Sequence, residues 1–223
     1  MDKFSSLEKR LRICGIFGII SLLSYSSMVL FFPFAFPDYD WKSMAVSELT
    51  AYGSPSQVLA NQLNSLFGPC AILNIMAIYI EIVNCSSELL ILGIYSFMLM
   101  EWITQVGYTM FPLKRDSSMT NPQNIMHIIT TILVVIFSLI SLVLIAIGSR
   151  EVRQIKSIGK WARASLVAMI TGSIGTALLP KSVFGIFERF SAFSVVVFNA
   201  ILGIYLMNGK FLFNIAEKKK KIY

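Results

Sequence analysis

Charge is what this 223-residue sequence has least of: 14% of its residues are Asp, Glu, Lys or Arg, against about 25% in soluble domains. Hydrophobic residues make up 56%, and the mean hydropathy is +0.71. A water-soluble body of this size needs more polar surface than that, so a cytoplasmic globular enzyme is excluded and lipid is the expected solvent. Histidine and cysteine are scarce as well, at one and three residues. Cys14, Cys70 and Cys85 cannot all pair. The first two lie in apolar runs, where a free thiol packs as a small hydrophobe. No CxxC and no Cys/His ligand spacing occurs, so neither a zinc centre nor a disulfide scaffold is expected. No metal or cofactor is called for. G-x-S-x-G, H-E-x-x-H and Walker loops are missing too, as are carboxylates paired within a helix turn. The leading expectation is therefore a non-enzyme.

What is present is a succession of charge-poor runs. Six of them, at about 13–33, 58–80, 89–111, 125–147, 164–179 and 190–207, approach the roughly 20 residues that cross a 30 Å hydrocarbon layer. The predicted fold is all-α: a single polytopic integral membrane domain, a bundle of six transmembrane helices. An outer loop spans 34–57 and a basic tail spans 208–223. The fifth run is short. The first exceeds the core of a signal peptide and is expected to remain as a helix.

Lysine and arginine set the orientation. Lys3, Lys9, Arg10, Arg12, Arg150, Arg153, Lys156, Lys160, Arg163, Lys210 and Lys218–Lys221 fall on one side, 14 in all. Lys42, Lys114, Arg115, Lys181 and Arg189, five in all, fall on the other. Both termini are therefore expected to be cytoplasmic. The net charge of +7 is then an address for the inner face, with no nucleic-acid partner implied. The expected partners are the bilayer itself and anionic lipid at the basic face. An Asn84-Cys85-Ser86 glycosylation pattern falls on the cytoplasmic side and is discounted. In the outer loop, Pro37, Asp38, Gly53 and Pro55 are turn formers, and Met44–Tyr52 suits a short amphipathic helix.

Polar residues inside the runs are the candidates for function. Glu101 is the one acid deep in a span, where a charge costs several kcal/mol and needs a partner, a proton or a cavity. Thr104, Gln105 and Tyr108 share its face at i+3, i+4 and i+7. Gln57, Asn61, Asn64, Ser65 and Gly68 make a second stripe on the next helix, suited to interhelical bonding or to lining a cavity. His127 starts the fourth span. Glu48, Asp116 and Glu188 lie on the same side as His127, which leaves a mixed site conceivable. Arg189 is placed to pair with Glu48 or a lipid phosphate. Ala164, Ala168, Gly172, Gly175 and Thr176 give the fifth run a small-residue face for close helix packing.

Ser47-Glu48-Leu49 followed by Gly53-Ser54-Pro55 and Asn61, then Gly107 with Phe111-Pro112, His127, and Gly185 with Glu188-Arg189, form an ordered set. In this the chain resembles an uncharacterised six-helix membrane family of bacteria and archaea, catalogued as domain of unknown function 998. The likeness covers about residues 11–206. It departs at Gln123, where a second His often stands in that family. The resemblance implies a prokaryotic plasma membrane and a site at the outer helix ends, and it carries no activity to transfer.

Three functions compete. The first is an outward-facing polar pocket for a small molecule, ion or lipid headgroup, transporter-like or lipid-associated, with Ser47, Glu48, Asn61, Asn64, Glu101, Gln105, His127, Glu188 and Arg189 as candidates. The second is an outer-leaflet hydrolase or transferase using Glu48, His127 and Glu188. The third is a structural partner of another membrane protein, docking through the small-residue face of the fifth run.

Overall fold

A computed structural model describes residues 6–83, 85–115, 118 and 120–211. Lys3, Asn84, Asp116 and the Lys218–Lys221 run lie outside the described residues. The described chain is all-helical, without strands beyond one isolated parallel bridge between Tyr52 and Lys114.

The helices in chain order are α1 (Ser6–Ile13), α2 (Ile16–Phe31), α3 (Ser47–Thr50), α4 (Gln57–Asn64), α5 (Phe67–Ile82), α6 (Glu88–Met110), α7 (Pro122–Gly148), α8 (Ile158–Leu178) and α9 (Phe184–Met207). Local chemistry explains several ends. The Ser87 hydroxyl accepts from the Leu90 N–H at 3.3 Å and Glu88 follows in the first turn of α6, which satisfies an orphan donor and complements the helix dipole. Asn121 accepts from the Gln123 N–H at 2.9 Å, and Pro122 takes the first position of α7.

The second apolar run is not one helix. It breaks at Ser65–Leu66, between α4 and α5. Pro69 lies four residues beyond Ser65 and has no N–H to offer back to it, while its ring crowds that carbonyl. Hydroxyls of α2 bond carbonyls on either side of the break: Ser21 donates to Phe67 O at 2.8 Å and Ser24 donates to Leu63 O. In lipid such a break is tolerable only with this kind of substitute bonding.

Packing follows chain order and then closes. α2 packs on α5, α5 on α6, α6 on α7, α7 on α8, α8 on α9, and α9 returns to α2, with α5 and α9 also touching across the middle. The main core lies between these helices, around Ile78, Ile94, Phe97, Leu142, Ile145 and Phe198. Close approach is set by glycine. A Cβ on Gly15 would stand 2.3 Å from Gly203 O, and one on Gly203 would stand 2.4 Å from Gly15 O. Arg12 lies at the same end, donating to Met207 O from Nε and Nη2 at 2.9 and 2.7 Å, a cation at the C-terminus of α9 where the dipole favours it.

Among the described residues, five segments are long and apolar enough to cross a membrane: Leu7–Ala35, Gln57–Ile82, Glu88–Met110, Pro122–Glu151 and Lys181–Met207. The most apolar, containing α7, has a mean hydropathy of 3.0, yet only 28% of that window is buried. An apolar helix that turns most of its surface outward requires lipid around it.

α8 is not among the five, although it has 21 residues. It begins at Ile158, before the apolar run expected at 164–179, because Lys160 and Arg163 join the helix with exposed side chains. Its packing face also sits one step round from the expected small-residue stripe. Ala162, Ser165, Met169, Gly172 and Gly175 are buried while Ala164 is exposed. A Cβ on Gly172 would meet Ser191 N of α9 at 2.5 Å, so that part of the face is already covered within the chain and is no free docking surface. The short helix expected over Met44–Tyr52 is only the four-residue α3.

Candidate functional site

Residues 34–57 fold back over one end of the bundle and are fastened there by α9. α9 begins at Phe184 rather than near 190, so Glu188 and Arg189 lie a full turn inside it. Glu188 Oε2 accepts from the Val46 N–H at 2.6 Å. Arg189 Nη1 donates to Trp41 O at 2.8 Å, Met44 O at 3.3 Å and Gly185 O at 2.8 Å, and Nη2 donates to the Tyr39 hydroxyl at 2.8 Å. The guanidinium is thus engaged with loop carbonyls, not with Glu48 or held ready for a lipid phosphate. Glu48 turns back on its own loop, where Oε1 accepts from the Ala45 N–H at 3.2 Å.

The same loop is tightened from within. Ser54 and Ser56 hydroxyls both donate to Leu49 O, at 3.1 and 2.8 Å. Gly53 has φ 88°, a left-handed turn that favours glycine. Tyr39 donates to Ala45 O at 2.8 Å. Burial raises its phenol to about 12, against the opposing pull of Arg189. Asp40 is held below its usual range by the Ser43 hydroxyl and the Lys42 N–H.

The segment after α6 is pinned in a comparable way. His127 Nδ1 bonds Phe111 O at 2.9 Å. A carbonyl only accepts, so Nδ1 carries the proton, and in the neutral ring Nε2 keeps its lone pair. Gln123 Nε2 donates to Pro112 O at 3.1 Å, which gives this residue an anchoring contact. The Asn124 amide bridges to Lys114, accepting from its N–H at 2.8 Å and donating to its O at 3.1 Å. The Tyr52 N–H donates to Leu113 O at 2.7 Å, joining this segment to the 34–57 loop.

Beneath these two segments lies a cavity of about 480 Å³. Ser47, Asn61, Asn64, Glu101, Gln105, His127 and Glu188 all line it; Glu48 and Arg189 do not. The two polar stripes meet here. Glu101, Thr104, Gln105 and Tyr108 come from α6, while Gln57, Asn61, Asn64 and Ser65 come from α4 and its end. Gly68, the last member of the second stripe, lies under the Gln105 amide, at 1.5 Å from where a Cβ would stand. Tyr108 donates to Thr131 Oγ1 at 3.1 Å and lies beside the His127 ring, centroids 5.0 Å apart.

Glu101 is 3% exposed. Its partner is one that sequence reasoning missed. Asn199 Nδ2 of α9 donates to Glu101 Oε1 at 3.0 Å and to Ala71 O at 3.3 Å. Asn199 Oδ1 in turn accepts from Asn74 Nδ2 of α5 at 2.6 Å. The signal was an amide in the middle of the second and of the sixth apolar run, where an uncommitted amide is expensive. Among the described residues, no three of His, Cys, Asp and Glu gather closely enough to hold a metal ion. Of the proposed hydrolase set, only His127 and Glu188 share the cavity.

The fold and site define an all-helical protein with five bilayer-length apolar segments and a polar cavity under an anchored loop. The chain belongs to the family described as "Protein of unknown function (DUF998)", whose model matches residues 19–205. No curated protein and no solved structure matches it.

Proposed function

We propose that this chain is a non-enzymatic membrane protein that uses the cavity as an outward-facing polar pocket for a small molecule, ion or lipid headgroup. One observation carries the reading. A single cavity collects Asn61 and Asn64 from α4, Glu101 and Gln105 from α6, His127 from α7 and Glu188 from α9. Its volume of about 480 Å³ lies within the range of about 300–1,000 Å³ usual for small-molecule sites. In this reading six helices span a prokaryotic plasma membrane, with α8 as the sixth, its Lys160 and Arg163 at the cytoplasmic interface. Both termini are cytoplasmic, and the basic inner loop and tail lie against anionic lipid.

Reconstitution tests the pocket. The purified full chain in proteoliposomes is screened for binding and flux, and Glu101→Gln and Asn61→Ala are compared for any ligand found. Each is expected to weaken binding or flux by about tenfold or more, the scale of one charge-assisted hydrogen bond. If both variants retain wild-type binding and flux, the pocket is not the site.

A further inference from the structure

The cavity wall also speaks to the charge of its occupant. Among the described residues no Lys or Arg lines it, and its carboxylic acids are Glu101 and Glu188. Several hydroxyl protons of the wall are already directed into the chain. Tyr108 gives its proton to Thr131, Thr104 to Met100 O at 2.8 Å, and Thr109 to Gln105 O at 2.6 Å. Acceptors are left over. Asn64 Oδ1 is buried with no hydrogen-bond partner. Glu101 bonds through Oε1 alone, so Oε2 has no donor within the described chain. The donors that remain are neutral.

Aromatic rings complete the wall. Tyr25 and Phe67 lie with centroids 5.0 Å apart, and Tyr108 lies tilted beside His127. Ring faces next to carboxylates suit a cation with an apolar body. The volume is that of an organic molecule, and no cluster of three metal-ligating side chains is present among the described residues.

We infer that the pocket takes an organic monocation bearing N–H donors, a protonated amine with an apolar body, with the ammonium held at Glu101. This rests on the pocket reading above. It names the ligand's chemistry, which the free amine and the ammonium of a lipid headgroup share.

The test uses the full chain in nanodiscs of phosphatidylglycerol, which carries no amine. Three probes of nearly equal size are compared by calorimetry: 4-phenylbutylammonium, 4-phenylbutanol and 4-phenylbutyrate. The cation is expected to bind at least about tenfold tighter than either isostere, and the preference is expected to disappear in Glu101→Gln. Should that variant fail to fold, the wild-type preference and Glu188→Gln decide. Repeating the titration with phosphatidylethanolamine in the disc separates the sources. A tenfold loss of probe affinity assigns the site to the headgroup amine, and no loss assigns it to a free amine; both support the inference. A neutral or anionic probe that binds as tightly overturns the cation, and its weakening in Asn61→Ala leaves the pocket standing. No binding by any probe also overturns the cation, and the flux experiment alone then judges the pocket.

Discussion

Asn199 shows what one residue decides in a low-dielectric bundle. It bonds the single deep acid and a second buried amide at once, linking α9 to α6 and α5. Asn199→Ala removes a donor from Glu101 and an acceptor from Asn74 while leaving both groups buried. The expected cost is about 1–3 kcal/mol, read as a fall in the unfolding midpoint in detergent. An unchanged midpoint would show that Glu101 is held by something else. In the sequence, Glu101 is conspicuous because charge is rare. Asn74 and Asn199 are equally visible as amides in apolar runs, yet 125 positions separate them. Local periodicity reports which residues share a face of one helix and says nothing of which helices meet.

At the scale of elements, the informative differences all come from contacts between elements. The 34–57 segment was legible as turn-rich, but only its docking on α9 explains why Glu188 and Arg189 sit inside a helix with their polar ends engaged. Arg189 is the fastener, and its forked donors reach three carbonyls and a phenol, a geometry lysine cannot reproduce. Arg189→Ala is expected to loosen the loop, so that trypsin cuts after the exposed Lys42 severalfold faster than in the parent chain. Equal cleavage rates would mean that the loop is held without it. The break between α4 and α5 is similar. Pro69 was in view, but whether a proline kinks, ends or is absorbed by a helix depends on who bonds the freed carbonyls. Here Ser21 and Ser24 of α2 bond the Phe67 and Leu63 carbonyls on either side of the break. α8 teaches the converse. Hydropathy located its apolar part and misjudged its start, because a helix may extend through charged residues that reach past the edge of the apolar layer.

For the whole molecule, the sparse charge and the apolar outward face of α7 make the same point from sequence and structure: the surface is built for lipid. The proposed orientation is open to direct labelling. With the native cysteines replaced, Lys42→Cys is expected to react with a membrane-impermeant maleimide in intact cells. Arg153→Cys is expected to react only after permeabilisation. The reverse pattern would invert the topology. Composition, run length and charge bias by themselves determined the all-helical membrane class and the faces of the two polar stripes, because solvent matching and helical periodicity act locally along the chain. The closed ring of helices, the Glu101–Asn199–Asn74 chain, the anchoring of the 34–57 loop by Glu188 and Arg189, and the joining of both stripes in one cavity were decided only by the tertiary structure. They depend on which helices lie side by side, and that is set by packing between residues more than a hundred positions apart.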